Sequence, residues 1–292
     1  MPKTILITGS STGFGRDTAE TLARTGHHVV ASMRATGGKN RQHAEALRTL
    51  AVAENLNIDV IDLDVTSSNS VERAVASALE RGPIDVLVNN AGIAAAGVSE
   101  AFTPEQAQAL FDTNVFGMLR TTRAVLPSMR KRREGLVINV GSILGRVTFP
   151  FFGIYGATKF AVEALTDSFR YELSQLGVDV ILVQPSAYPT PMYSSVQHPD
   201  DAGRLGEYGD IGKIPDKMFA HFLQAFQAPN SPNPHDVAEA IATLIAQPKG
   251  RRPIRTVVGT PFGADMVNAQ TAPVQNRIVE ELGLASLANV AT

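Results

Sequence analysis

Two stretches of this chain carry residue types whose spacing could do chemistry. In Tyr155-Gly156-Ala157-Thr158-Lys159 the tyrosine and lysine are four positions apart, so on a helix the ammonium lies beside the phenol. A free tyrosine has a pKa near 10 and exchanges protons efficiently near neutrality only if lowered by roughly two units, about 2.7 kcal/mol. A cation in a partly desolvated cleft can supply that shift, although the pair taken alone also describes many solvated helices. The other stretch is Thr8-Gly9-Ser10-Ser11-Thr12-Gly13-Phe14-Gly15, between an apolar run and a helical pattern. Its glycines permit a sharp turn and let backbone amides approach a pyrophosphate, and the helix N-terminus adds partial positive charge. The alternative is an ordinary glycine-rich turn; the strand-turn-helix context points to a dinucleotide.

These groups need a frame. Short apolar runs bounded by turn residues predict strands at Thr4 to Thr8, His28 to Met33, Ile58 to Asp62, Val86 to Asn89, Leu136 to Val140, Val178 to Val183 and Arg255 to Val258. Helical patterns fall between them at Gly13 to Thr25, Asn40 to Glu54, Ser68 to Glu80, Glu105 to Arg132, Tyr155 to Leu176 and Pro234 to Ala246. That rhythm predicts an α/β fold: a doubly wound, Rossmann-type parallel sheet of seven strands, with helices on both faces and right-handed crossovers. One domain is expected over 1–292. Within it, 187–233 is read as a substrate-binding loop or lid, because a proline-rich stretch of that length is seldom a plain connection. A helical extension is expected over 263–292, with Gly263 to Leu282 helical and the tail frayed. Pro127 should kink the fourth helix, and the run Arg130, Lys131, Arg132, Arg133 should cap its C-terminus, where cations offset the dipole.

Composition narrows the classes. The 292 residues are 44% hydrophobic and 18% charged, enough for a large core. With 26 lysines and arginines against 28 aspartates and glutamates, the balance argues against a nucleic-acid partner. No cysteine is present, which excludes disulfides, thiolate metal sites and cysteine nucleophiles. The six histidines show no close-spaced metal pair on one helix face, so no metal is assigned. No apolar run approaches a membrane span, and a cytoplasmic location is expected.

The motifs occur in a telling order. Gly9, Gly13 and Gly15, then Asp64-Val65, Asn89-Asn90-Ala91-Gly92, Asn114, Gly141-Ser142, Tyr155 with Lys159, and Pro185 together resemble the short-chain dehydrogenase/reductase family over about residues 3–190. The resemblance implies a proton-transferring tetrad of Asn114, Ser142, Tyr155 and Lys159. In it Tyr155 exchanges the hydroxyl proton and Ser142 holds the substrate oxygen. Lys159 contacts the nicotinamide ribose and lowers the tyrosine pKa, and Asn114 supports a water relay. It further implies that Gly9, Ser11, Gly13, Phe14 and Gly15 bind the cofactor, that Asp64 and Val65 flank adenine, and that Asn89, Ala91 and Gly92 line the adenosine ribose. Asn90 looks structural. Tyr155, Lys159, Pro185 and Thr190 complete the cofactor set, with Thr190 on the carboxamide. Ser186 stands where the family usually has glycine, and a requirement for positive φ there would strain the loop.

Cofactor choice is read at the end of the second strand. Relatives that prefer NAD usually carry an aspartate where Met33 stands; here Arg34 follows, and a guanidinium pairs bidentately with a phosphate, so NADP(H) is expected over NAD(H). Phe149, Phe151, Phe152, Tyr188, Met192 and Tyr193 flank the catalytic center in sequence, and with Met218, Phe219 and Phe222 they suggest an apolar substrate wall. The resemblance leans toward the hydroxysteroid and retinol dehydrogenase branch, hence a secondary alcohol or ketone of apolar character, in a homo-oligomer (dimer or tetramer). A non-catalytic NADP-sensing regulator and an epimerase or dehydratase on the same fold stay open as alternatives.

Overall fold

Alternation along the central strands divides their side chains between two apolar layers, one on each face of the sheet. In the computed structural model, which describes residues 1–291, β1 (Thr4–Ile7) lies between β2 (His28–Met33) and β4 (Val86–Asn89). β3 (Ile58–Asp62) forms one edge, and β5 (Gly135–Val140), β6 (Val178–Pro185) and β7 (Arg255–Val258) continue from β4. The order is β3-β2-β1-β4-β5-β6-β7, every pairing is parallel, and the sheet is the Rossmann type anticipated above. Ile5, Ile7, Val29 and Val88 pack with Leu22, Leu47 and Ile241 of α1 (Gly13–Arg24), α2 (Arg41–Ala53) and α9 (His235–Ala246). On the other face Leu6, Val30, Leu87 and Val137 meet Val75, Val125 and Leu173 of α3 (Ser68–Glu80), α5 (Gly117–Arg132) and α6 (Gly153–Ser174). The strand order reverses beside β1, so the carboxyl ends of β1 and β4 diverge and open the crevice where such sheets bind ligands.

Two expectations need correction, the fourth helix and the tail. The helix expected from Glu105 to Arg132 is continuous but not uniform: α4 (Pro104–Phe111) passes through a π turn, Asp112–Phe116, into α5. The turn carries Asn114 inward, and Gly117 behind it packs so close to Val65 that an added Cβ would lie 2.9 Å from the valine Cβ. The stretch 187–233 consists of short helical fragments joined by irregular chain, with a 3-10 turn at Pro191–Ser195, then α7 (Ala202–Glu207) and α8 (Ile214–Ala225). Gln197 fastens it by backbone bonds to Ala94 (2.9 Å) and Ala96 (3.0 Å). The tail after α10 (Ala264–Glu281) is docked, not frayed: Arg170 donates to the Ala288 carbonyl (3.0 Å), Gln175 to that of Ser286 (2.7 Å), and the Ala291 N–H to that of Ser174 (2.8 Å). Thr292, the last residue of the expected extension, lies outside the described residues. Among the described residues no helix is long and apolar enough to cross a membrane.

Candidate active site

The turn from β1 into α1 is built around absent side chains. Gly9 and Gly13 have φ of 72° and 56°, the left-handed region that glycine enters without strain. A Cβ on Gly15 would sit 2.3 Å from Asn90 Nδ2 and 2.4 Å from the Gly9 oxygen, so Gly15 serves by close packing. Asn90 locks the turn by donating to the carbonyls of Thr8 (2.9 Å) and Gly9 (3.1 Å), the structural part read for it from the sequence. The Thr8 hydroxyl accepts the N–H groups of Asn90 and Ala91. Thr12, the residue before α1, makes no side-chain capping bond, which leaves the first-turn amides uncapped, and Thr12, Gly13 and Phe14 line the cleft. A bare, electropositive glycine cradle of this shape fits a pyrophosphate.

The cleft runs outward from this turn. Ser11, Gly13, Phe14, Ala91, Gly92 and Thr190 line it near the turn, and Arg34, Asp64 and Val65 line its outer end. Lys39, which the sequence reading missed, joins Arg34 there; both are exposed. Lys39 sits in the irregular connection between β2 and α2, where no periodicity marks a side chain as facing the cleft. Burial opposes ionisation of Asp64, yet bonds from the Thr66 N–H (2.9 Å) and hydroxyl (2.7 Å), with Arg34 and Lys39 nearby, hold its carboxyl below the usual range. Asn89 corrects an expectation: it does not line this cleft. Its amide donates to Thr122 (3.0 Å) and Asn139 (2.9 Å) and accepts from Thr121 (2.5 Å), a buried network that spends its hydrogen-bonding capacity between β4, α5 and β5.

Beyond the turn a second cavity opens, sharing Asn90, Gly92 and Thr190 with the cleft. Ser142, at the end of β5, and Tyr155 and Lys159, on the first turns of α6, line it together, with Pro185 at the end of β6. The Ser142 hydroxyl accepts the Leu144 N–H (3.1 Å), which fixes its rotamer. Lys159 Nζ donates to the Val140 carbonyl (3.1 Å), and burial pushes this lysine down to about 8. Burial, together with nearby Tyr193, raises the Tyr155 phenol well above its ordinary value, and the Ser142 hydroxyl pulls the other way. Burial is the largest influence on the phenol in this arrangement.

Asn114 is held at both ends of its amide, accepting the Ile93 N–H (2.9 Å) and donating to the Ile93 carbonyl (2.9 Å) and the Thr158 hydroxyl (3.1 Å). Its side chain ties the π turn to α6, and both of its amide hydrogens are engaged. Ser186 escapes the expected strain, because its φ is not positive and its N–H bonds the Val258 carbonyl (2.9 Å). Tyr188 is almost wholly buried; its ring meets Phe14 edge-on (5.6 Å) and its hydroxyl reaches Asp236 (3.3 Å). Phe149, Phe152, Met192, Tyr193 and Phe222 do line the cavity, and Phe219 packs behind them against Phe152.

Glu163 was also missed. One turn beyond Lys159, it is buried with Arg146 (3.1 Å) and Arg255 (2.8 Å), and Gln184 donates to its other oxygen. The cluster binds the segment after Ser142, helix α6 and strands β6 and β7 into one unit. Only a glutamate on an otherwise apolar helical face hinted at it.

Comparison with known proteins agrees with this architecture. Residues 3–201 match the short chain dehydrogenase family. The chain is 35% identical over 261 residues to a 3-ketodihydrosphingosine reductase of Bacteroides thetaiotaomicron, covering 88% of each protein. It is 34% identical to retinol dehydrogenase 8 of Bos taurus, covering 89% of this chain and 83% of that one. Among solved structures, an actinorhodin polyketide ketoreductase variant with NADPH superposes with a TM-score of 0.73 at 27% identity, covering 90% of this chain and 97% of that one. The chain belongs to the short-chain dehydrogenase/reductase family, whose members are oxidoreductases that interconvert alcohols and carbonyl compounds with NAD(P).

Proposed function

We propose that this protein is an NADP(H)-preferring oxidoreductase acting on an apolar secondary alcohol or the matching ketone, with Tyr155 as the acid/base. The observation that carries the reading is the shared wall between the two cavities: Asn90, Gly92 and Thr190 face both, so a ligand in the glycine cleft would meet one held beside Ser142 and Tyr155. Gly9, Gly13 and Gly15 with the first turn of α1 would hold the pyrophosphate. Asp64 and Val65 would flank the adenine, and Ala91 and Gly92 the ribose. Arg34 and Lys39, with no carboxylate at Met33, favour a 2′-phosphate. The bound nicotinamide supplies or accepts the hydride.

The remaining work falls to this chain's own side chains. Ser142 holds the substrate oxygen by its hydroxyl, and Tyr155 gives that oxygen its phenolic proton in the reducing direction or takes the alcohol proton in the other. Lys159, still charged at neutrality, stands at the tyrosine ring and stabilises the phenolate that forms. Asn114 positions α6 through Thr158. Phe149, Phe152, Met192 and Phe222 keep water away from the reacting carbon and accept an apolar substrate body. A panel of long-chain, cyclic and charged ketones followed by the ultraviolet absorbance of NADPH tests this. Apolar ketones should be consumed fastest; consumption of charged ketones alone contradicts the substrate reading.

A further inference from the structure

The polar groups of the inner cavity are few, and most are already engaged. Asn90 bonds the glycine turn, Lys159 the Val140 carbonyl, and Tyr188 the carboxylate of Asp236. Ser142 and Tyr155 belong to the proton-transfer site. Ser186, just past the end of β6, lines the inner cavity, and Thr190, five residues past Pro185, lines both the cavity and the glycine cleft. Lys159 is the one charged side chain lining this cavity among the described residues. Among the described residues of the aromatic wall that line this cavity and take no part in the proton-transfer site, Tyr193, on the 3-10 turn Pro191–Ser195, is the one that brings a hydroxyl with no partner.

Its ring is fixed edge-on against Phe226 (4.9 Å) and tilted against Phe219 (6.2 Å), and its N–H bonds the Thr190 carbonyl (3.1 Å). Among the described residues its hydroxyl makes no hydrogen bond. Phe219 belongs to the apolar cluster that holds Tyr155, so the two phenols share one wall. Burial pushes Tyr193 up to about 12, which keeps it a neutral donor at any working pH, and its proximity helps raise Tyr155. A half-buried donor held rigid and left unengaged by the chain is ready for a ligand acceptor, and a site that bonds such an acceptor discriminates strongly against analogues lacking it.

We propose that Tyr193 is a specificity-determining residue: its hydroxyl donates to a second, uncharged oxygen on the substrate, close to the reacting carbonyl of an otherwise apolar molecule. The substrate class is thereby narrowed from plain ketones to those with a neighbouring ester, keto or hydroxyl oxygen. This rests on the oxidoreductase reading above for its chemistry, but not for its binding.

The test compares a long-chain β-keto ester with the methyl ketone of equal chain length, in the wild type and in Tyr193→Phe, which keeps the ring and removes only the hydroxyl. Turnover is measured with NADPH, and equilibrium binding of each compound by calorimetry. The variant should lose at least tenfold in kcat/KM and in affinity for the β-keto ester, and change less than twofold for the methyl ketone. Equal losses on both compounds, or none on either, overturn the proposal. A wild type that reduces neither ketone yet binds the β-keto ester more tightly than the variant does overturns the oxidoreductase reading and supports the role of Tyr193.

Discussion

Lys159 stands over Tyr155 with its Nζ 5.6 Å from the ring centroid, while the same ammonium donates to the Val140 carbonyl at 3.1 Å. The lysine thus faces the phenol it serves and is anchored to the strand beneath. Holding a cation in this desolvated place has a cost that shows in its titration. Burial pushes it down to about 8 from an ordinary 10.5.

In the unfolded chain Lys159 still binds its proton between those two values, whereas in the folded chain it has lost it, so stability rises with pH across that window. Below about pH 8 both states are protonated and the full penalty applies. Guanidinium unfolding of the wild type and Lys159→Met, at about pH 7 and again at pH 10.5, should show the wild type gaining roughly 3 kcal/mol relative to the variant. A difference between the two proteins that does not change with pH contradicts the desolvated lysine.

Arg34 and Lys39 face the outer end of the cleft without any salt-bridge partner among the described residues. Each charge-assisted contact to a phosphate contributes about 1.5 to 3 kcal/mol, so NADPH should bind at least about tenfold more tightly than NADH. Arg34→Ala should weaken NADPH binding by at least about tenfold while leaving NADH affinity unchanged, and Arg34→Ala with Lys39→Ala should remove the preference. Fluorescence titration of both cofactors decides it, and equal affinities in the wild type contradict the assignment.

Glu163 is the counter-ion for two arginines in a largely buried cluster, with its own side chain only 5% exposed. Glu163→Gln keeps the shape and leaves Arg146 without its carboxylate, a loss of roughly 3 kcal/mol by the measure of broken buried pairs. Because the cluster joins the segment after Ser142 to α6, kcat should fall with little change in KM. Urea denaturation alongside steady-state kinetics measures both; a variant as stable and as active as the wild type contradicts this role.

The sheet was legible because its central strands are buried and read as apolar runs, as β4 does, while the half-buried edge strands β3 and β7 are rich in β-branched residues; β2, β3, β4 and β7 fall at the expected residues. What the sequence hid has physical causes. The π turn at Asn114 adds a residue to a helix without disturbing the look of its periodicity. Asn89 and Asn90 are neighbours at the end of a strand, where successive side chains take opposite sides, so the motif alone does not say which one meets the cleft. Lys39 lies in irregular chain, and the Glu163 cluster unites residues from 146 to 255 that only the folded chain brings together. Within 187–233 the backbone pairing of Gln197 with Ala94 and Ala96 is a long-range contact with no local signature.

The central claim is that Tyr155 carries the proton. Tyr155→Phe preserves the ring that packs among Leu144, Phe152 and Phe219 and removes only the hydroxyl beside Ser142. The measurement is single-turnover reduction of an accepted apolar ketone by NADPH, with cofactor affinity determined on the same preparation. The account predicts that the chemical step falls at least about a hundredfold, within the range for loss of a general acid, while NADPH affinity stays within about twofold. A variant that reduces the ketone at the wild-type rate would contradict it and place the proton transfer on another group.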